Sequence, residues 1–447
     1  MNVTKAMRLT IAIAALAPLA DPVAAHAQQP YNVTVNITEL SRIFADLYGP
    51  GGLVVNSSAD LAGGVSHSGH FNSGFESEFS QFGTALTSQI VSLPLPPPAS
   101  GFTYQLDPGL GVFVRSTTSF GPILSERAET IGARRFAIGF AFQRLTFDSI
   151  EGLDLRAVPA VFSHDSAELR GGREDVVTTL NTIDAQVSRS ATFLSYGVTD
   201  TLDVSFAVSF VTTDVVVTSD ATIQRLGTTV PEIHFFRAAD DSIGSRRLFT
   251  AFGHASGLGD LTVRLKQTLT KSQTRGTALG VDLRVPTGDE RNLLGTGAVG
   301  VQPFFVWSAT SGAFSPHVNV GYQWNGSSIL AGEPGTGIAE DLPDAGVYAL
   351  GAVLAIHPRV TAAADLLGRY WIDSPRVRPD DFHSLDGHTV FPSLTFTSSS
   401  FNELNGAFGL KINVLGQLLV NANLLVRLNS VGLRDKVSPL VGVEYAF

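Results

Sequence analysis

The chain has 447 residues, a formal charge of −10 and no cysteine. Zero cysteines exclude a disulfide scaffold, and a net negative charge with no basic block argues against nucleic acid as a partner. Mean hydropathy is +0.19, yet beyond the N-terminal leader no uncharged apolar run reaches the ~18 residues that a membrane helix needs.

Oily overall but never continuously so is the composition of a transmembrane β-barrel, in which only alternate residues face lipid. The first segment sets the compartment. Lys5 and Arg8 precede a short apolar run, Ile11 to Ala20, and Ala25 and Ala27 flank His26 as an A-x-A cleavage site. Residues 1–27 therefore read as a signal peptide, with the mature chain starting near Gln28. A membrane anchor is the alternative, but the run is too short to cross about 30 Å of bilayer as a helix.

Residues 28–132 lack barrel periodicity. "SRIFADLY" (Ser41–Tyr48) predicts one short helix, Ser57–Phe75 is flexible by composition, and "LPLPPPASG" (Leu93–Gly101) is a stiff connector. A hairpin at Phe102–Phe120, around "DPG", would raise the strand count to about fourteen; its first strand is short, so it is placed outside the barrel. The segment is expected to fold into the lumen as a plug, with a periplasmic extension as the alternative.

Residues 133–447 carry the barrel. Strands of about ten residues with period two are expected at 133–147, 186–198, 202–214, 258–270, 276–287, 299–309, 314–325, 345–357, 360–373, 400–414, 417–430 and 437–447. The fold class is thus all-β, a transmembrane antiparallel barrel of about twelve strands with an N-terminal plug-like segment. In "GDLTVRLKQTL", Leu261, Val263, Leu265 and Leu269 share one face, and Asp260, Arg264 and Lys266 the other. An Arg or Lys facing lipid costs about 2–4 kcal/mol at mid-membrane, so the charged face is assigned to the lumen. The candidates for lining it are Arg264, Lys266, Asp282, Arg284, His317, Asn319, Gln323, Asp365, Arg369, Lys411, Asn413 and Glu444. A soluble β-sandwich would have shorter strands and two sheets closing on a side-chain core. Short connections at Thr199–Thr201, Lys271–Gly276, Ala309–Ala313, His357–Arg359 and Leu415–Gln417 alternate with long ones. Short turns are periplasmic in such barrels, which puts both barrel ends there. The terminal "VSPLVGVEYAF" alternates strictly. Tyr445 and Phe447 are expected at the periplasmic girdle and as the signal read by the barrel-assembly machinery of Gram-negative cells.

The most distinctive stretch runs from "GLGDL" through "PTGD" to "HVNVGY". It resembles an outer-membrane family named for a MetA pathway of phenol degradation, itself similar to the fatty-acid and aromatic-hydrocarbon transporters of Gram-negative outer membranes. The resemblance is good over about Ser256–Asn325 and rests on Gly257, Gly259, Asp260 and on Pro286, Thr287, Gly288, Asp289. Their residue-level reading is turn chemistry: glycine supplies positive φ and Asp caps the turn. The resemblance implies uptake of aromatic compounds.

Other constellations are weaker. "GTGAVG" follows a loop and opens no helix, unlike a phosphate-binding loop. His67 and His70, and Asp380, Asp381, His383, Asp386 and His388, match no metal-ligand spacing and read as loops. A barrel lipase needs a Ser/His/acid group on the lipid side, whereas His317 is expected inside. No catalytic residue, metal or cofactor is expected. The sequence thus reads as a porin-like channel in the bacterial outer membrane, for passive uptake of small, hydrophobic or aromatic compounds. A surface protein whose extracellular loops bind a partner, without transport, is the alternative. The expected partners are outer-membrane lipid and lipopolysaccharide, the assembly machinery and the solute.

Overall fold

The computed structural model describes residues 31–49, 52–56, 71–73, 75, 82–86, 104–107, 112–115, 119–164, 174–227, 229, 233–238, 240–272, 274–385 and 387–447. Twelve antiparallel strands form a closed barrel. They are β1 (Phe136–Phe147), β2 (Val176–Gly197), β3 (Leu202–Gln224), β4 (Leu261–Lys271), β5 (Arg275–Val285), β6 (Gly300–Ala309), β7 (Phe314–Asn325), β8 (Ala345–His357), β9 (Val360–His383), β10 (Val390–Leu415), β11 (Leu418–Arg427) and β12 (Val437–Ala446). The expected number and order of strands are borne out. The seam pairs β12 with β1, from Leu440 opposite Gln143 to Ala446 opposite Ala137. The Phe447 amide then donates to the Phe136 carbonyl at 2.7 Å. Closure is obligatory in hydrocarbon, where each unpaired backbone group costs several kcal/mol.

Outward residues form an apolar belt. Phe140, Phe206, Leu265, Leu279, Phe305, Leu350, Phe408 and Val441 are all exposed. At the short-turn end Tyr445 and Phe447 stack edge-on at 4.7 Å, and Phe136 lies 5.8 Å from Phe447. Tyr322 and Trp324 pair at 4.8 Å near the opposite end. A closed barrel with an oily belt between two aromatic girdles belongs in the bacterial outer membrane.

Four strands overrun the membrane: β2, β3, β9 and β10 have 22, 23, 24 and 26 residues, against the ~9–11 that span it. Along β3 the alternation never slips, but its polarity inverts. In the first half Val204, Phe206, Val208 and Phe210 point outward, and Asp203, Ser205 and Ser209 are buried inward. From Val211 onward the buried face is mainly aliphatic, Val211, Val215, Val217, Ala221 and Ile223 with Thr213 and Ser219 among them, and the outer one carries Thr212, Asp214, Thr218, Asp220 and Thr222 around Val216. The outer face of this upper half bears a hydrogen bond between His254 and Asp214 at 2.6 Å and the ion pair Arg246–Asp220. The barrel is inside-out in lipid and becomes an ordinary water-soluble β-wall above it.

That upper wall encloses an apolar core built from the N-terminal segment. Leu40, Ile43, Phe44, Leu47, Leu53, Phe71, Phe75 and Phe82 pack with Val177, Ile183, Val211, Val215 and Val217. Phe44 meets Phe75 and Phe82 edge-on at 5.7 and 5.3 Å, and Tyr48 shares a hydrogen bond of 2.9 Å with Ser219. Tyr31–Asn36 adds to the wall as a parallel strand on Arg246–Leu258, which itself pairs with the upper half of β3.

Several details depart from expectation. Ser41–Tyr48 yields only a 3₁₀ turn at Leu40–Arg42 followed by turns; Leu40, Ile43, Phe44 and Leu47 keep a helix-like spacing and are all buried in one core. The strand expected at 258–270 is the lower part of a longer run, interrupted at Gly259–Asp260, where its neighbour changes from β5 to Tyr31–Asn36. Asp380, Asp381 and His383 were expected in a loop but lie on the extension of β9, paired with Ser393, Pro392 and Val390. Asp386 lies outside the described residues, as do His67, His70 and the cleavage site at Ala25 and Ala27. The hairpin Tyr104–Asp107 with Val112–Arg115 forms a separate two-stranded sheet.

Candidate functional site in the lumen

Residues 119–132 form a loop inside the lower barrel without regular structure; both ends sit at the short-turn mouth, where Phe120 and Ile131 pack with Ala137, Leu419 and Ala446, and Leu124–Glu126 reach furthest up. A buried irregular segment must find partners for its backbone outside itself, and the lumen side chains supply them. Thr361 Oγ1 accepts from the Phe120 amide at 3.0 Å, and Lys411 Nζ donates to the Pro122 carbonyl at 3.0 Å. Asn319 binds both backbone groups of Glu126, at 2.6 and 2.9 Å. Ser308 accepts from the Ala128 amide, Thr268 donates to the Ala128 carbonyl, and Asp203 accepts from the Ile131 amide. Ile123 adds an apolar anchor against Ala363, Ala407 and Leu425. This strap is fastened along its whole length.

Its strongest fastening is ionic. The Glu126 carboxylate receives Lys266 at 2.9 Å and also pairs with Arg264, which is bidentate to Asp282. Burial pushes the Glu126 carboxyl up, but the two cations outweigh it and hold the group below the usual carboxylate range. Ser125, His317 and Asp365 also meet, with Ser125 Oγ and Asp365 Oδ1 at 2.7 and 2.6 Å from the same nitrogen, His317 Nε2. A nucleophile relay needs the imidazole to bridge through both nitrogens. Here one nitrogen serves both partners, so the trio is a clamp on the strap.

Above the strap lies a cavity open to solvent. Leu124, Ser125 and Glu126 form its floor, and Leu294 and Gly295 of the loop after β5 its roof. Its wall mixes Arg189, Arg264, Arg284 and Arg369 with Asp260, Asp282 and Glu403, and with the rings of Phe304 and Tyr348. The roof is held by the two distinctive sequence motifs, which interlock. Thr287 Oγ1 donates to the Gly259 carbonyl at 2.8 Å and accepts from the Leu261 amide at 3.0 Å. Asp260 accepts from the Gly288 amide at 3.1 Å and from the amide and hydroxyl of Thr296 at 2.9 and 2.6 Å. A Cβ at Gly288 would lie 2.7 Å from the Gly295 backbone, so close chain approach, more than turn geometry, requires glycine there.

The sequence-derived lumen residues divide into three groups. Arg264, Lys266, His317, Asn319, Asp365 and Lys411 touch the strap, with Glu444 behind Lys411 at 3.7 Å. Asp282, Arg284, Gln323 and Arg369 line the cavity. Asn413 does neither: its amide donates to the Gly416 carbonyl at 2.8 Å in the β10–β11 turn. It keeps the inward phase of Lys411, opposite Leu419, at the short-turn end of the lumen. Sequence reasoning missed Arg189 and Glu403, although each sits in the inward phase of its strand, and Glu126, which no periodicity marks. Among the described residues no group of three or more His, Cys, Asp or Glu could hold a metal ion.

The resemblance carried by the strand-end motifs is borne out. The family model described as "Putative MetA-pathway of phenol degradation" matches residues 170–335. No curated protein matches the chain. Among solved structures, an outer-membrane channel from Pseudomonas putida F1 shares 12% identity and a TM-score of 0.43, covering 72% of this chain and 99% of that one. The toluene transporter TbuX of Ralstonia pickettii shares 11% identity and a TM-score of 0.31, covering 71% and 90%. A FadL homologue from Pseudomonas aeruginosa shares 9% identity and a TM-score of 0.31, covering 70% and 89%.

Proposed function

We propose that the barrel is a channel for passive uptake of small solutes, hydrophobic or aromatic ones among them, with the strap setting the bore. In this reading residues 1–27 are removed, 28–132 act as the plug and 133–447 as the wall; N-terminal sequencing that starts near Gln28 checks the first point. The observation that supports passage is the cavity in mid-barrel, part apolar and part charged, with the strap as its floor. The family description adds an aromatic solute class. The purified protein in a planar bilayer is expected to give discrete conductance steps, larger once the strap is loosened by Glu126→Gln. Silence from both proteins would overturn the reading.

A second reading is favoured by the apolar core and the fastened strap, which together fill much of the bore. Here the barrel is a platform, and the extended β9–β10 hairpin and its neighbours bind a partner at the cell surface. Silent bilayers combined with unchanged growth on aromatic carbon sources in a deletion strain are the outcome expected for it.

A further inference from the structure

The strap does not meet the wall in the same way all round. Toward β9–β12 and β1 it is packed. Phe120 and Ile131 close on Ala137, Leu419 and Ala446, Ile123 on Ala363, Ala407 and Leu425, and Lys411 on the Pro122 carbonyl. Toward β6 and β7 a second, smaller cavity opens below it at the short-turn mouth. Ser308, Thr310, Ser315 and His317 line it from the wall, and Arg127 and Glu129 from the strap. The two cavities are neighbours on both surfaces. On β7, His317 belongs to the lower one and Asn319, the next inward residue, to the upper one, a strand rise of about 7 Å. On the strap, Glu126 lines the upper cavity and Arg127 the lower.

What separates the cavities is polar. Ser125 Oγ meets His317 Nε2 at 2.7 Å and donates to Asp365 Oδ1 at 2.8 Å, and Asn319 holds the Glu126 backbone. Hydrogen bonds in such a neck exchange for bonds to water at little net cost. The apolar contacts on the other side have no such substitute, since parting them exposes their surface to water. A polar site with room for water also wets readily, whereas an apolar one stays dry.

We infer that solutes leave the upper cavity past the strap on its β6–β7 side, and that Ser125, His317 and Asp365 are the gate on that route. The inference rests on the channel reading above and names how that channel is gated. Because the chain has no native cysteine, single cysteines can map the route in the full-length protein in a planar bilayer. Ser315→Cys lies in the lower cavity. Asn413→Cys lies at the same mouth on the packed side, in the inward phase of β10. The probe is a sulfonated methanethiosulfonate added to both sides, with the mass of the labelled protein confirming reaction. Current is recorded before the reagent is added, so each variant shows its fold by conducting; if Ser315→Cys does not conduct, Thr310→Cys in the same cavity takes its place. The reagent should remove most of the current through Ser315→Cys and leave that through Asn413→Cys unchanged. His317→Ala, which takes a side chain out of the gate, should give larger conductance steps than the wild type. Block at Asn413→Cys equal to or greater than that at Ser315→Cys would overturn the route, and unchanged steps in His317→Ala would overturn the gate, each while leaving the channel standing. Silence from the wild type, from Glu126→Gln and from these variants would remove the channel and this route with it.

Discussion

The two halves of β3 obey opposite rules with one unbroken backbone pattern. Below Phe210 the outer face is apolar and the inner one polar; above it the inner face is apolar and the outer one polar. The lower half answers to lipid outside and to the strap and cavity within. The upper half answers to water outside and to a dry core within. Register is shared, so it is the surroundings, not the pleat, that decide which alternate residue must be apolar.

Substitutions can break this comparison. The largest effect is expected from Val215→Asp, which puts a carboxyl without a partner into the upper core; an uncompensated buried charge costs about 3–5 kcal/mol. Loss of surface protease resistance would show it, and tolerance would mean that the upper interior is wet. Phe206→Arg, on the outer face in lipid, is expected to cost about 2–4 kcal/mol and to abolish the heat-modifiable folded band on a gel. Glu126→Gln tests the lower interior. Hydrogen bonds to charged groups are worth about 1.5–3 kcal/mol, and hydrogen exchange of the amides in 119–132 should speed up accordingly. The same carboxyl gives the acid response its sign. Its folded pKa is depressed, so its contribution is complete above the ordinary carboxylate range and is lost only as pH falls through the lower folded value. Strap exchange should therefore ignore mild acid and rise in strong acid, whereas Glu126→Gln shows the fast exchange already at neutral pH. The smallest effect belongs to Val216→Arg. Val216 is 40% exposed on the outer face of the upper half, and a surface change there should stay within about 0.5 kcal/mol. A loss as large as that of Phe206→Arg would place the membrane boundary higher than Phe210.

What was legible in the sequence follows from the same inversion. The lipid-embedded strands announce themselves because only they place Phe, Leu and Val against Arg, Lys and Asp in strict alternation. The upper extensions keep the period but trade roles, so "TTDVVVTSDATIQ" loses its outward hydrophobes and falls short of the barrel pattern. Arg284, Gln323 and Arg369 could be assigned inward by phase alone. Their hydrogen-bonded junction, with Arg284 and Gln323 on Asn325 Oδ1 and Arg369 on Gln323 Oε1, could not, since it joins three strands in space. The strap has no period at all, and its partners lie far along the chain, from Asp203 to Lys411. The motif glycines looked like turn residues because only the folded roof brings Gly288 against Gly295.

The strap has one more consequence, for the order of assembly. Both its ends sit at the short-turn mouth, where Phe120 and Ile131 pack with Ala137, Leu419 and Ala446, while its polar groups are met by side chains from β3 round to β10. A loop fitted so closely to the wall cannot be worked into a ring already shut and lined with side chains; the ring has to shut around it. The β1–β12 seam is then the last joint to form, and the C-terminal strand acts as the clasp of a collar closed on its filling. Because the chain has no native cysteine, the order can be timed with two engineered disulfides. Phe120→Cys with Thr361→Cys reports the strap on the wall, and Ala141→Cys with Gly442→Cys reports the clasp. The first should cross-link no later than the second, and a seam that locks while the strap pair is still reduced would contradict this order.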